Sequence, residues 1–183
     1  MEKEHPPEPV SAEQFKFAMR SLAAAVNVVT SAHAGHRYGM TATAACSVSA
    51  DPPTLLVCIN RATSTHGAIA KSGAYCINVL RTEDSVLSTA FSGAQSGEAR
   101  FRSRDWARLA TGSPVLIDSL VSFDCRVVKK IAHGTHTVFF GAVEQLLFGK
   151  KGKPLVYAEG QYAKLASLLH GEAPPEGLDD FDR

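Results

Sequence analysis

The sequence contains no glycine-x-glycine, although 14 of its 183 residues are glycine. The dinucleotide fingerprint is therefore excluded and the P-loop is missing as well, so any nucleotide must be held by other means. No G-x-S-x-G elbow is present to display a serine nucleophile. None of the four cysteines, Cys46, Cys58, Cys76 and Cys125, belongs to a C-x-x-C pair. Each sits in an apolar or strand-like run, which fits a reduced core thiol better than a zinc ligand, and no metal is expected. An excess of one charge is lacking too, with 19 lysines and arginines against 18 acidic residues. Nucleic acid is accordingly not an expected partner. The apolar runs are too short to span a bilayer, and residues 1–10, "MEKEHPPEPV", hold no apolar signal core. The expectation is a cytoplasmic protein without membrane contact.

What is present is a 45% hydrophobic composition over the length of one domain, enough to bury a core. Residues 1–10 are expected to be a flexible segment, residues 11–170 one domain, and residues 171–183 an acidic, mobile tail. "SAEQFKFAMRSLA" predicts a first helix: Ser11 caps, Gln14 answers three residues later, and Phe15, Met19 and Leu22 share a face. "VNVVTSA" from Val26 predicts a strand, broken at Ala34-Gly35-His36 and followed by a second strand from Tyr38. "TLLVCIN" predicts a third, and the Asp51-Pro52-Pro53 before it must be a connection, since proline cannot donate to a ladder. Ser64 and Thr65 precede a short predicted helix, "HGAIAKSG", ending at Gly73, and "YCINVL" is a fourth strand. "TEDSVLSTAFSG", with Val86, Leu87 and Phe91 at helical spacing, and "EARFRSRDW" suggest a helical pair joined through Gly93 to Gly97. "SLVSFDCRVVKKIAHG" and "THTVFFGAVEQLLFG" alternate apolar with polar and meet at Gly134 as a hairpin. "PLVYAEGQYAKL" adds a final short strand and turn. The fold expected is mainly β with peripheral helices, an antiparallel barrel with helices over its openings.

One stretch invites a site. In "RYGMTATAACSVSADPPTLLVCINRATSTHGAI", Thr41, Thr43, Ser47 and Ser49 alternate along one run, with Met40, Ala42, Ala44 and Cys46 opposite. A hydroxylated strand face is ordinary in a barrel, because threonine is a good strand former. The following "NRATSTH" supplies an amide, a guanidinium and hydroxyls just before a helix N-terminus, whose free N–H groups favour a phosphate. A flat heteroaromatic ring fits beside the small residues from Gly39 to Ala45, with its phosphate near Arg61 to Thr65.

The stretches "GMTATAACSVSADPPTLLVCINRATSTHGAI", "YCINVL", "HTVFFGAV" and "PLVYAEGQY" together resemble the flavin reductase family, over residues 15–165. Members include the reductase components of two-component flavin monooxygenases, such as that serving 4-hydroxyphenylacetate 3-monooxygenase. The resemblance implies a homodimer of Greek-key split β-barrels of the FMN-binding type. Each would hold FMN or FAD, with NADH or NADPH as hydride donor and no protein nucleophile. It places Thr41, Ala42 and Thr43 at the isoalloxazine edge and Ser47 and Ser49 at the ribityl chain or phosphate. Asn60, Arg61, Ser64 and Thr65 would hold the phosphate. The family's Gly-Asp-His triplet, whose histidine stands near the nicotinamide, is here Gly134-Thr135-His136. His136 is thus the catalytic candidate, with a threonine hydroxyl where an aspartate orients it elsewhere. His133, three positions earlier, is expected on the other strand face. Phe101, Arg104 and Trp106 occupy the stretch where relatives cover the cofactor mouth. Tyr162 matches the family's Gly-x-Tyr, with Gln161 where an arginine is common.

Three functions follow from this resemblance. The leading one is a flavin reductase supplying reduced flavin by diffusion to a partner monooxygenase. The second passes electrons from a bound flavin to another acceptor, such as a cobalt corrinoid or ferric chelate. The third, from another class, is a non-catalytic flavin or haem binder.

Overall fold

The computed structural model describes residues 8–95 and 97–166. The predicted tail and residues 1–7 lie outside them. Ser11 caps α1 (Ala12–Met19) through the expected box: its hydroxyl accepts from the Gln14 N–H while the Gln14 side chain accepts from the Ser11 N–H. The apolar stripe of this helix finds no cover among the described residues, and Phe15, Phe17, Met19 and Leu22 are all exposed.

After β1 (Ala24–Ala25), the strands β2 (Asn27–His33) and β3 (His36–Ala42) form the predicted hairpin. β4 (Ala45–Ala50) and β5 (Pro53–Asn60) form the next, and Pro53 takes the first strand position, where the ladder tolerates a missing donor. α2 (Ser64–Ser72) stops at Gly73, whose φ of 69° closes the helix in the left-handed region. β6 (Ala74–Val79) follows. The expected helical pair is a chain of single turns: Thr82–Asp84, α3 (Ser85–Thr89), a wider turn Ala90–Ala94 and Gly97–Phe101. Leu87 and Phe91 point inward as predicted, but Val86 is exposed, because turns this short bury only one side. β7 (Trp106–Arg108) pairs with β8 (Pro114–Leu116). The long hairpin is β9 (Val121–His133) with β10 (His136–Phe148), turning at Gly134. β11 (Leu155–Ala158) and β12 (Gln161–Lys164) close the chain as a second small hairpin where one strand was expected.

Seven strands form one antiparallel sheet in the order β3-β2-β6-β9-β10-β5-β4. Laid flat, its outer strands would stand about 29 Å apart, six spacings of about 4.8 Å. Yet β3 and β4 are joined through Thr43 and Ala44 alone, a path of three Cα steps or about 11 Å. The sheet must therefore curl until its edges nearly meet, and it remains open along that seam. This is a mainly β, Greek-key split barrel.

The seam also corrects the hydroxyl row. The alternation from Thr41 to Ser49 is not one strand but the end of β3, a two-residue step and the start of β4. A register shift between Ser47 and Ser49 breaks it again, pairing Ser47 with Leu55 and Ser49 with Thr54, so the two serines fall on opposite faces.

The core has two parts. Inside the barrel, Val29, Val57, Ile59, Tyr75, Ile77 and Phe139 pack beneath Ile69 of α2. Outside β2 and β6, Val28, Leu80, Leu87, Phe91, Phe101 and Leu116 form a second cluster. β2 serves both through alternate residues, which is why Asn27 to Ser31 are buried without interruption. Among the described residues no helix is long and apolar enough to cross a membrane.

Candidate functional site

A cavity of about 540 Å³ opens at the seam, within the range of small-molecule sites. Its floor is the free edge of the sheet, Gly39 to Ala42 of β3 with Thr43 beyond. Its far end is Thr63, Ser64 and Thr65 at the start of α2, and Phe91, Ser92 and Gly93 lie over it. Tyr157 and Tyr162 close the remaining side, their rings 5.8 Å apart and tilted 73°.

Each wall has a local cause. β3 pairs only with β2, so one row of its backbone groups has no strand partner and faces outward for a polar ring edge. Gly39 keeps that wall low: a Cβ there would lie 2.6 Å from Phe91 Cε1. Thr41 Oγ1 donates to the Ser88 carbonyl at 2.6 Å, and the Tyr162 hydroxyl donates to Ser88 Oγ at 2.8 Å. Buried Ser88 thereby ties floor and side wall to one turn. Arg100 donates through Nη1 to the Gly39 carbonyl at 2.6 Å and through Nη2 to the Gln95 carbonyl at 2.7 Å.

The helix starts two residues earlier than expected. Thr63 is the N-cap, its hydroxyl accepting from the His66 N–H at 3.2 Å, so Ser64 and Thr65 are the first helical residues. Their backbone N–H groups have no intrahelical acceptor and line the cavity. Among the sequence candidates, Thr41, Ala42, Thr43, Ser64, Thr65 and Tyr162 converge on one space.

The others lie elsewhere. Ser47 and Ser49 are on β4 outside the cavity, and Ser49 is turned into the Asp51 connection, donating to the Asp51 carbonyl at 2.8 Å. Asn60 organises the approach to α2, its Oδ1 accepting from the Ala62 N–H at 2.9 Å. The Arg61 backbone N–H donates to the Thr135 carbonyl at 2.9 Å, fastening that approach to the long hairpin's tip. Phe101 is a correction: it is 1% exposed and packs edge-on against Phe91, a core residue rather than a cover. Arg104 pairs with buried Asp84 at 3.0 Å, and Trp106 packs on the outer core.

His136 stands opposite Asn60 at the start of β10, outside the cavity walls, with its Nδ1 2.9 Å from Thr135 Oγ1. Thr135 thus contacts the His136 ring through its hydroxyl. His133 is directly across the turn from His136 and so shares its face, because the two belong to different strands. Arg100, Tyr157, Phe91 and the Ser92-Gly93 turn were not anticipated from the sequence. Their only signal was a match in spacing to no known motif, since each reaches the site through tertiary packing.

Three of the four thiols are held in their neutral form. Burial, and then the Asp124 charge, pushes Cys76 well above its ordinary value and Cys125 up to about 12. Burial also raises Cys58. Cys46 is exposed and Cys58 half-buried, against the expectation of four core thiols, because both sit on the outward face of the barrel sheet.

The family description "Flavin reductase like domain" matches residues 19–166. The chain belongs to this family. A relative named FMN reductase (NADH) RutF 1, from Methylorubrum extorquens, is 43% identical over 92% of this chain and 84% of its own length. The solved structure of the flavin reductase PheA2 is similar with a TM-score of 0.77 and 32% identity, over 86% of this chain and all of that one. BorF, the flavin reductase component of a bacterial two-component tryptophan halogenase, is similar with a TM-score of 0.78 and 28% identity, over 86% of this chain and 99% of that one. The residues present fit a flavin in this family's reaction. The edge strand β3, without a second strand partner, forms a low-walled floor, aromatic rings flank it, and helix N–H groups without an intrahelical acceptor stand at the far end.

Proposed function

We propose that this chain is an NADH-dependent flavin reductase, with FMN as its flavin, that releases reduced flavin for a partner oxygenase. The observation that carries this is the convergence of the β3 free edge and the α2 N-terminus on one cavity of about 540 Å³. The relatives' names supply the donor and the flavin. When bound, the flavin supplies the hydride acceptor. The chain's residues hold and shield it. Gly39 to Thr43 would face the ring edge with backbone groups, and the Ser64 and Thr65 N–H groups would take the phosphate, where the helix dipole favours an anion. Tyr157 and Tyr162 exclude water from the ring's side. His136, held by Thr135, is proposed to serve the nicotinamide rather than the flavin, since it lies outside the cavity walls.

The protein is proposed to work as a homodimer in the cytoplasm. Ile131, Val138, Cys58, Phe140 and Leu56 occupy paired positions on the barrel's outward face, continued by exposed Cys46. None of the five is fully buried in the single chain, nor is any apolar residue of α1. An apolar sheet face of this kind suits a second copy. Four unpaired cysteines suit a reducing compartment.

The test is turnover. Purified protein mixed with FMN and NADH should oxidise NADH catalytically, and oxidation no faster than in a protein-free control would contradict the proposal.

A further inference from the structure

Thr41 of the cavity floor and Tyr162 of its side wall meet on one residue, Ser88, which is fully buried in α3. The two bonds use different atoms. Thr41 donates to the Ser88 carbonyl, which any residue at that position would offer, whereas Tyr162 donates to Oγ, which the serine side chain supplies. Three positions further along stands Phe91, one of the residues over the cavity. Floor, roof and side wall thus converge on one short run of turns.

The side wall depends on Ser88 most. β12 is an edge strand that pairs with β11 alone. Among the described residues, no hydrogen bond other than that from the Tyr162 hydroxyl to Ser88 Oγ joins β12 to any element but β11. The rest of this hairpin is fastened elsewhere. At its base the Leu155 N–H donates to the Leu80 carbonyl at 2.9 Å, and at its tip the Glu159 N–H donates to the Arg20 carbonyl at 2.7 Å. Tyr157 lies directly across from Tyr162 in the hairpin, with the rings 5.8 Å apart, so whatever holds one ring holds the other. Tyr162 is also 38% exposed. Its hydroxyl has water as an alternative partner, and the bond to Ser88 can open for no more than the net worth of one neutral hydrogen bond.

We propose that Ser88 is a positioning residue of the flavin cavity. It holds Tyr162, and Tyr157 with it, across the cavity's side, and the opening of the Tyr162–Ser88 bond sets how long the flavin stays bound. Such a wall is closed during hydride transfer and yields afterwards, as release of a diffusing product requires. The inference rests on the reading above that flavin occupies this cavity.

The test uses the full chain as wild type, Ser88→Ala, Tyr162→Phe and the double variant. FMN dissociation is followed by stopped-flow fluorescence, and exchange of the β12 backbone amides is followed by mass spectrometry without flavin. FMN should leave each single variant about fivefold faster, the factor that one neutral hydrogen bond of about 1 kcal/mol represents. The double variant should match the single ones, because all three lack the same bond. In Ser88→Ala the KM for FMN should rise by that factor while bleaching by NADH at saturating FMN keeps its rate. The β12 amides should exchange faster in the free protein of each variant. Dissociation that is unchanged in Tyr162→Phe, or that rises in the double variant by the product of the two single factors, overturns the proposal. A lowered Tm in Ser88→Ala, with bleaching rate and FMN affinity lost together, also overturns it and leaves the residue a structural role only. A wild type that binds no FMN, while β12 exchanges faster in both single variants, overturns the flavin reading and leaves the tie between Ser88 and β12 standing.

Discussion

Gly39 carries two demands at one atom. A Cβ there would lie 2.6 Å from Phe91 Cε1 and 3.2 Å from Thr30 Cγ2, inside a cluster where Phe91 is 1% exposed. Gly39→Ala must therefore move the ring that roofs the cavity. Overpacking of this kind costs about 1–3 kcal/mol, so thermal melts should show a lowered Tm and fluorescence titration a weakened FMN affinity. An unchanged Tm would mean that the ring yields freely. His136 makes the opposite kind of prediction. His136→Ala should slow hydride transfer from NADH about tenfold or more while FMN affinity holds, as removal of a positioned donor does. Equal loss of both would move the residue to the flavin. That Thr41 to Thr43, Ser64 and Thr65 would lie together was legible in the sequence because hydroxyls, small residues and the helix start lie close together in the chain, whereas Tyr162 was reached through the family resemblance. Phe101 misled because an aromatic looks the same in a sequence whether it lines a mouth or fills a core. Arg100 and Tyr157 were invisible because only tertiary packing brings them to the seam.

At the scale of the element, α2 is the piece on which binding depends. Thr63→Ala removes the hydroxyl that caps the His66 N–H and should cost about 1 kcal/mol of stability, read in urea melts, with a parallel loss of FMN affinity. Stability lost without any effect on FMN would separate the helix start from the phosphate. The same helix carries a pH response. Burial first, then the Arg61 and Lys130 charges, lower His66 below its ordinary 6.5, and its Nε2 lies 2.9 Å from Thr137 Oγ1. The unfolded chain thus takes up this proton at a higher pH than the folded one. Stability is full above about 6.5 and declines as pH falls from there toward the folded value. His66→Gln should flatten that decline in urea melts between pH 7 and pH 5, and an unaltered slope would exclude His66 as its source. The hairpins were legible because alternation and turn residues are local signals. The break at Thr43 and Ala44 was not, since the alternation continues through it and only the pairing with β5 reveals where β4 begins. The single-turn helices from Thr82 to Phe101 looked longer in the sequence because hydrophobic spacing does not record how often the backbone kinks.

For the molecule as a whole, the open seam and the sheet's outward face, uncovered among the described residues, define what one chain does and what two would do. Sedimentation should give the mass of two chains, and Val138→Asp combined with Phe140→Asp should give one, because both residues sit on the outward face. A wild type that sediments as a single chain would leave the apolar face without the proposed partner. The barrel itself was legible through the strand pattern and the family resemblance together. Its division into two cores was not, because β2 contributes to both and its buried run resembles any interior strand. The central claim is chemical and is tested most directly by anaerobic stopped-flow absorbance at the flavin band. Protein with FMN, mixed with NADH, should bleach far faster than FMN and NADH alone, and NADPH should serve less well. Bound FMN that keeps its absorbance after NADH is added would contradict the account and make the seam a flavin-binding site without turnover.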